Sequence, residues 1–276
     1  MRACRGLAAA ALFALATGAP VLHAAGPSGA APAASPLTDR FAVRASYFPA
    51  SVRSRGRFDS DAGVPGTPVS GQDDFGFPSD LTQGRIELSF RPAPRHRLRV
   101  DHLQLEQQGV VTVDRTIVFR NQTFNPGDRL ESALDWRLLG FTWTAAVFRG
   151  ESFELGAGIG IHLAEAEATA LVKARGIDEG ATAAGALPSL ALDGTWAFAP
   201  RWSVNARLQY LSVDRDDVRG QFRDYHLDVQ YRWRPSLAVG LGWSRISLDA
   251  EASDSDLPGR LEISARGPEA FFRVSF

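Results

Sequence analysis

Asp224, His226 and Asp228 alternate along the chain, so on an extended strand their side chains share one face. A carboxylate beside an imidazole can orient the ring and keep it as a general base, which is the chemistry of a hydrolase. Asp224 and His226 are the candidate catalytic pair, placed near the outer rim of whatever fold carries them. His102 and His162 are further residues that could join it. A second acidic pair is missing. Asp214, Asp216 and Asp217 lie in one polar connecting segment, and Asp254 and Asp256 in another. No cysteine or histidine cluster has metal-ligand spacing, so neither a metal nor a cofactor is expected. Gly156-Ala157-Gly158-Ile159-Gly160 is no dinucleotide fingerprint, because no helix follows it to receive a phosphate. The competing reading, that Asp224, His226 and Asp228 belong to a structural ionic network, is preferred, and no enzyme is expected.

The elements that must carry these residues follow from composition and order. The chain has 276 residues, 45% hydrophobic and 22% charged, with a net charge of -1. That balance leaves no basic footprint for a nucleic acid. Mean hydropathy is -0.12, too polar for a bundle of membrane helices. No apolar run of about 20 residues follows the N-terminus. The bases are 29 Arg and one Lys, Lys173. Met1 to Arg5 is a short basic stretch, Gly6 to Gly18 is apolar, and Ala24 and Ala25 are small. Residues 1–25 therefore read as a secretory signal peptide. Residues 26–39 are rich in Pro, Gly, Ala and Ser and read as a flexible leader. Cys4 precedes the apolar run, which argues against a lipid anchor, and the mature chain keeps no cysteine for a disulfide.

From residue 40 to 276 apolar residues recur at every second position. Ten such segments are expected, near 40–54, 83–91, 96–117, 129–148, 152–170, 188–198, 202–213, 222–233, 236–249 and 261–276. Tight turns at 92–95, 149–151, 199–201 and 234–235 alternate with longer polar connections at 55–82, 118–128, 171–187, 214–221 and 250–260. Short turns at one end and long loops at the other are the pattern of a transmembrane barrel. The fold class expected is all-β: a transmembrane antiparallel up-and-down β-barrel of ten strands, with eight as the alternative. Aromatics support it. Phe41, Phe90, Phe153, Phe198, Trp202, Trp233 and Phe276 lie near the tight turns, and Tyr47, Tyr210, Tyr225 and Trp243 lie further along in the same phase. Two rows in one phase are what two membrane interfaces require.

The chain ends Ala270-Phe271-Phe272-Arg273-Val274-Ser275-Phe276. A terminal Phe with apolar residues at alternate positions, here Phe272, Val274 and Phe276, resembles the assembly signal of the outer-membrane β-barrel superfamily. The resemblance covers the signal segment, the alternation and this tail. It implies a Gram-negative outer-membrane location, lipid and lipopolysaccharide as surroundings, and handling by periplasmic chaperones and the barrel-assembly machinery. The chain also resembles the omptin proteases, in strand count and in the Asp224/His226 spacing.

Two breaks in phase, at Leu138-Leu139 and at Gly267-Pro268, predict β-bulges. The opposite phase assigns Arg44, Arg85, Glu87, Arg91, Arg97, Arg99, Asp101, Asp135, Arg137, Glu154, Asp193, Arg207, Asp228, Arg232, Glu269 and Arg273 to the lumen. Near-balanced charge in a narrow ten-stranded lumen predicts an Arg/carboxylate plug and a structural or surface-interaction role. The alternatives are a narrow channel for small solutes and, less favoured, a rim hydrolase. The acidic loops are expected to stay solvated.

Overall fold

Strong alternation along the chain produces long strands and almost nothing else. The computed structural model describes residues 35–60, 62–215, 218–252 and 258–276. The signal segment, the first part of the leader, Asp216, Asp217, Asp254 and Asp256 lie outside them. In chain order the strands are β1 (Phe41–Phe58), β2 (Val69–Ser70), β3 (Asp80–Ala93), β4 (His96–Thr112), β5 (Ile117–Phe119), β6 (Gln122–Phe124), β7 (Arg129–Arg149), β8 (Phe153–Val172), β9 (Ile177–Ala199), β10 (Trp202–Arg215), β11 (Val218–Arg234), β12 (Leu237–Ala252) and β13 (Gly259–Ser275). A single 3-10 turn, Lys173–Arg175, joins β8 to β9.

Ten of these strands form one antiparallel wall in the order β1-β3-β4-β7-β8-β9-β10-β11-β12-β13, and β13 pairs with β1 to close it. The ring is sealed at its lower end by the C-terminus, where Phe276 exchanges backbone hydrogen bonds with Phe41. The tight turns all fall at this end. Register shifts also gather there, at Phe90/Ala93, Ala146/Phe148, Trp202/Val204 and Arg232/Arg234.

Outward residues of the lower half are apolar and exposed. On β8 they run Phe153, Leu155, Ala157, Ile159, Ile161 and Leu163. That stretch, at about 3.3 Å per residue and a tilt of about 40°, rises roughly 25 Å, the height of an outer-membrane hydrocarbon band. Both aromatic rows face outward on this belt, from Phe276 and Trp233 below to Tyr47, Tyr225 and Trp243 above.

Above the belt the polarity of the wall inverts. On β4 the inward side chains change from Arg97, Arg99 and Asp101 to Leu103 and Leu105, while the outward ones change from Leu98 and Val100 to Gln104, Glu106 and Gln108. On β7 Trp136 and Leu138 point in, and Asp135 and Arg137 point out. Hydrocarbon outside demands an apolar outer face, whereas water outside demands an apolar core. The strands are long enough to meet both solvents.

This inversion corrects several expectations. Neither predicted bulge exists: β4, β7 and β8 keep continuous register through Leu138 and Leu139, as do β12 and β13 through Gly267 and Pro268. The chain does not slip there; the apolar face changes sides. Asp135 and Arg137 are therefore not lumen residues. They pair with each other on the outer wall, where Arg137 also approaches Glu165 at 3.8 Å. His102 likewise faces out. The expected long connection 171–187 is mostly strand, since β9 pairs with β8 from Ile177 onward. Its run of Gly and Ala holds a single β-branched residue, Thr182, where strands usually hold several.

The upper end is capped by the chain segments between β1 and β3 and between β4 and β7. Phe58 and Phe75 meet Phe119 there in tilted and edge-on contacts, with centroids 5.0 and 6.0 Å apart. Gln107 donates to Pro78 O and Ser132 to Phe75 O, each at 2.8 Å. Asp128 fixes the second segment by accepting the Asn125 amide at 2.7 Å and pairing with Arg175. The Asn125 amide and then the Arg175 guanidinium hold its carboxyl below the usual carboxylate range. A depressed folded pKa contributes stability above the unfolded pKa and loses it as pH falls through the folded value. Hydrogen-exchange protection of residues 113–128 is therefore expected to decline only in strong acid, and Asp128→Asn is expected to abolish that pH dependence. Protection that declines with pH in the same way in the variant counts against the assignment.

Candidate functional site

The inward phase of the lower half builds the site. Eight arginines reach the interior: Arg44, Arg85, Arg91, Arg97, Arg99, Arg207, Arg232 and Arg273. Eight carboxylates meet them: Asp39, Glu87, Asp101, Glu154, Asp193, Asp224, Asp228 and Glu269. Arg149 adds a further guanidinium 3.6 Å from Glu154, and every member has an ion-pair partner. Burying so many charges is tolerable only under that condition.

The network runs up the barrel. At the lower mouth Asp39 accepts from Arg232 at 2.6 Å and from Arg273 at 3.2 Å. Glu154 takes a bidentate pair from Arg91 at 2.8 and 3.0 Å, and a third bond from Arg97 at 2.9 Å. Asp193 bridges Arg97 and Arg99 and accepts from Thr144 at 3.0 Å. Glu87 lies between Arg99 and Arg207. At the top Arg85 is shared by Asp101 at 2.9 Å and Asp224 at 2.8 Å. From β1, Arg44 reaches Asp228 on β11 at 2.7 Å and Glu269 on the adjacent β13 at 3.0 Å. Its guanidinium also stacks on Phe271, 3.5 Å from the ring centroid. Arginine suits this role because its planar fork serves two acceptors at once.

Glycines give the network room. A side chain at Gly156 would collide with Asp193, and one at Gly240 with Phe271. Both stand on strands opposite the groups that fill the space.

Asp224 and His226 do not form a rim dyad. Both are buried in the lower half, one and two inward steps below Phe222, which is wholly buried. Asp224 belongs to Arg85 and Arg207. His226 instead contacts Asp228 at 2.9 Å through Nε2 and Glu269 at 3.2 Å through Nδ1, with Arg44 2.7 Å from Nε2. His162 packs its ring on Phe222 at 4.5 Å. The imidazole of His226 is thus clamped between two carboxylates beneath the apolar core.

That core fills the upper half. Phe48, Val52, Leu103, Leu105, Leu130, Trp136, Leu138, Ile246 and Ile263 are all buried almost completely. Beside it a cavity of about 300 Å³ remains among Phe58, Trp136, Ala164, Ala166, Leu187, Leu248 and Leu261. It adjoins a split in the wall, since β9 and β10 stop pairing above Leu190 and Tyr210.

Sequence reasoning missed Asp39. It is the one acidic residue in a leader otherwise read as unstructured, and that isolation was the available signal.

No family model and no curated protein matches the chain. Among solved structures, the outer membrane protease OmpT of Escherichia coli aligns over 86% of this chain and 97% of its own, at 12% identity and a TM-score of 0.53. The transport unit of the autotransporter AIDA-I, also from Escherichia coli, covers 86% and 90%, at 11% identity and a TM-score of 0.41. The Pseudomonas putida toluene transporter TodX covers 86% and 90%, at 7% identity and a TM-score of 0.35. At such identities the likeness speaks for architecture alone. Together with the lipid-height apolar belt and the closed ring of ten strands, the likeness to OmpT gives this chain the fold of an outer-membrane β-barrel.

Proposed function

We propose that the protein is a closed outer-membrane barrel whose role is structural or surface-directed, with its lumen filled rather than conducting. The observation that carries this reading is the layered filling: an ion-paired layer below, an apolar core above it, and capping segments across the mouth. Trp136, Leu138, Phe222 and Ile246 are buried side chains of that core and set an apolar barrier against water and ions. Purified protein in planar bilayers is expected to show no steady single-channel steps. Steady steps of uniform size would overturn the reading.

The rim-hydrolase alternative loses its support from geometry, because His226 faces carboxylates in the interior and not the outer mouth. A second reading, binding of a small apolar solute, draws on the cavity at the β9/β10 split. Equilibrium binding of a labelled alkane, abolished in Ala166→Phe, would support it; no binding to the unaltered protein would dismiss it.

Phe272, Val274 and Phe276 are the proposed handle for the barrel-assembly machinery. Phe272 and Phe276 are exposed on the last strand, where an assembly partner could reach them.

A further inference from the structure

The upper edge of the lipid belt carries charge that the protein itself does not neutralise. On β11 the outward sequence passes from Leu227 and Tyr225 to Arg223, on β12 from Leu241 and Trp243 to Arg245, and on β13 from Ala270 and Pro268 to Arg266. On neighbouring β1 it passes from Tyr47 and Pro49 to Ser51 and Arg53. Each arginine is thus the first charged outward residue above the last apolar one on its strand. The strands are consecutive in the wall, so at about 4.8 Å per strand the row spans roughly 14 Å.

The register brings the charges together. Arg245 stands directly opposite Arg266, an arrangement of like charges that disfavours the sheet by itself. Arg223 and Arg53 flank that pair one outward step higher, opposite Ser247 and Ser264. Among the described residues no carboxylate lies within ion-pair distance of any of the four. Several other arginines of the outer wall are answered. Higher on the same strands Arg57 meets Asp59 and Glu251, and Arg260 meets Asp249. Across the barrel Arg137 meets Asp135. A like-charged pair left unanswered at the height of the lipid headgroups, just above Trp243 and level with Tyr225, calls for an anion supplied by the membrane.

We propose that Arg53, Arg223, Arg245 and Arg266 form a binding site for the phosphate groups of a phosphorylated lipid of the outer leaflet. Guanidinium forks hold phosphate oxygens bidentately, and Ser51, Ser247 and Ser264 stand between them as hydroxyl donors. The inference rests on the membrane placement of the belt and not on the closed lumen, so a conducting lumen would leave it intact.

The test uses the purified full chain in detergent, stripped of native lipid and followed by native mass spectrometry and thermal unfolding. The ligands are bisphosphorylated lipid A, its dephosphorylated form, and inorganic phosphate. Lipid A is expected to bind and to raise the unfolding temperature, while the dephosphorylated form and inorganic phosphate bind at least about tenfold more weakly. The double variant Arg245→Gln/Arg266→Gln is expected to lose at least about tenfold in lipid A affinity. Without lipid it should unfold no earlier than the parent, because a repulsive pair has been removed. Arg129→Gln, on the far wall, should bind as the parent does. Equal lipid A binding by the double variant, or equal binding of the dephosphorylated lipid or of phosphate alone, overturns the proposal.

Discussion

Arg85→Met is expected to destabilise the folded barrel by about 3–5 kcal/mol, because it strands two buried carboxylates at once. Asp101 has its ion pair with Arg85, and Asp224 keeps only the longer contact of 3.9 Å to Arg207. Neither carboxylate is reached by water at its ionised oxygens, so the interior must hold uncompensated charge or take up protons. Urea unfolding of the refolded protein in detergent, read by tryptophan fluorescence and by gel mobility of unboiled samples, measures the loss. The triple variant Arg85→Met/Asp101→Leu/Asp224→Leu removes charge and partner together and is expected to recover most of it. A single variant as stable as the parent would mean that the ionic layer does not hold the barrel together.

Trp136→Ala should destabilise the barrel to a similar extent, about 3–5 kcal/mol, by opening a cavity in the upper core. Its indole is 1% exposed, between Leu105 on β4 and Ala166 on β8 in the register. The neighbouring change Asp135→Ala alters the opposite face and should stay within about 0.5 kcal/mol, as solvated surface positions do. The same unfolding measurement separates them. If Asp135→Ala proves the more damaging, the polarity inversion is wrong and the outer half of the strands has been read inside out.

The alternation that reveals strands survives whichever side is apolar, so strand number, the tight turns and the aromatic rows were legible in the sequence. The assignment of faces was not. Periodicity reports that two faces differ, and only the surrounding solvent says which one is buried. At Leu138-Leu139 and at Gly267-Pro268 the solvent changes along a straight strand, and a sequence read with one solvent in mind must invent an inserted residue. The same assumption carried Asp135 and Arg137 into the lumen. Strand length failed for a different reason: Gly180 to Gly185 hold only Thr182 among residues that favour strands, and pairing with β8 extends them. The charged interior was legible as a set of residues. Its connections were not, since Arg44 on β1 meets Asp228 on β11, 184 positions along the chain. Asp39 escaped because a leader gives no period to read.

The inverted wall also constrains how the chain can reach its folded state. A single strand such as β4 offers its apolar residues to one side below and to the other side above. A partial sheet lying on a bilayer can shelter the lower set in lipid, but it turns the upper set toward water. A partial sheet collapsed on itself in water does the reverse. No half-assembled intermediate satisfies both, and added strands extend the conflict until the ring is complete. Zipping β13 onto β1 is the step that resolves it, so insertion and core formation should rise together as one cooperative phase.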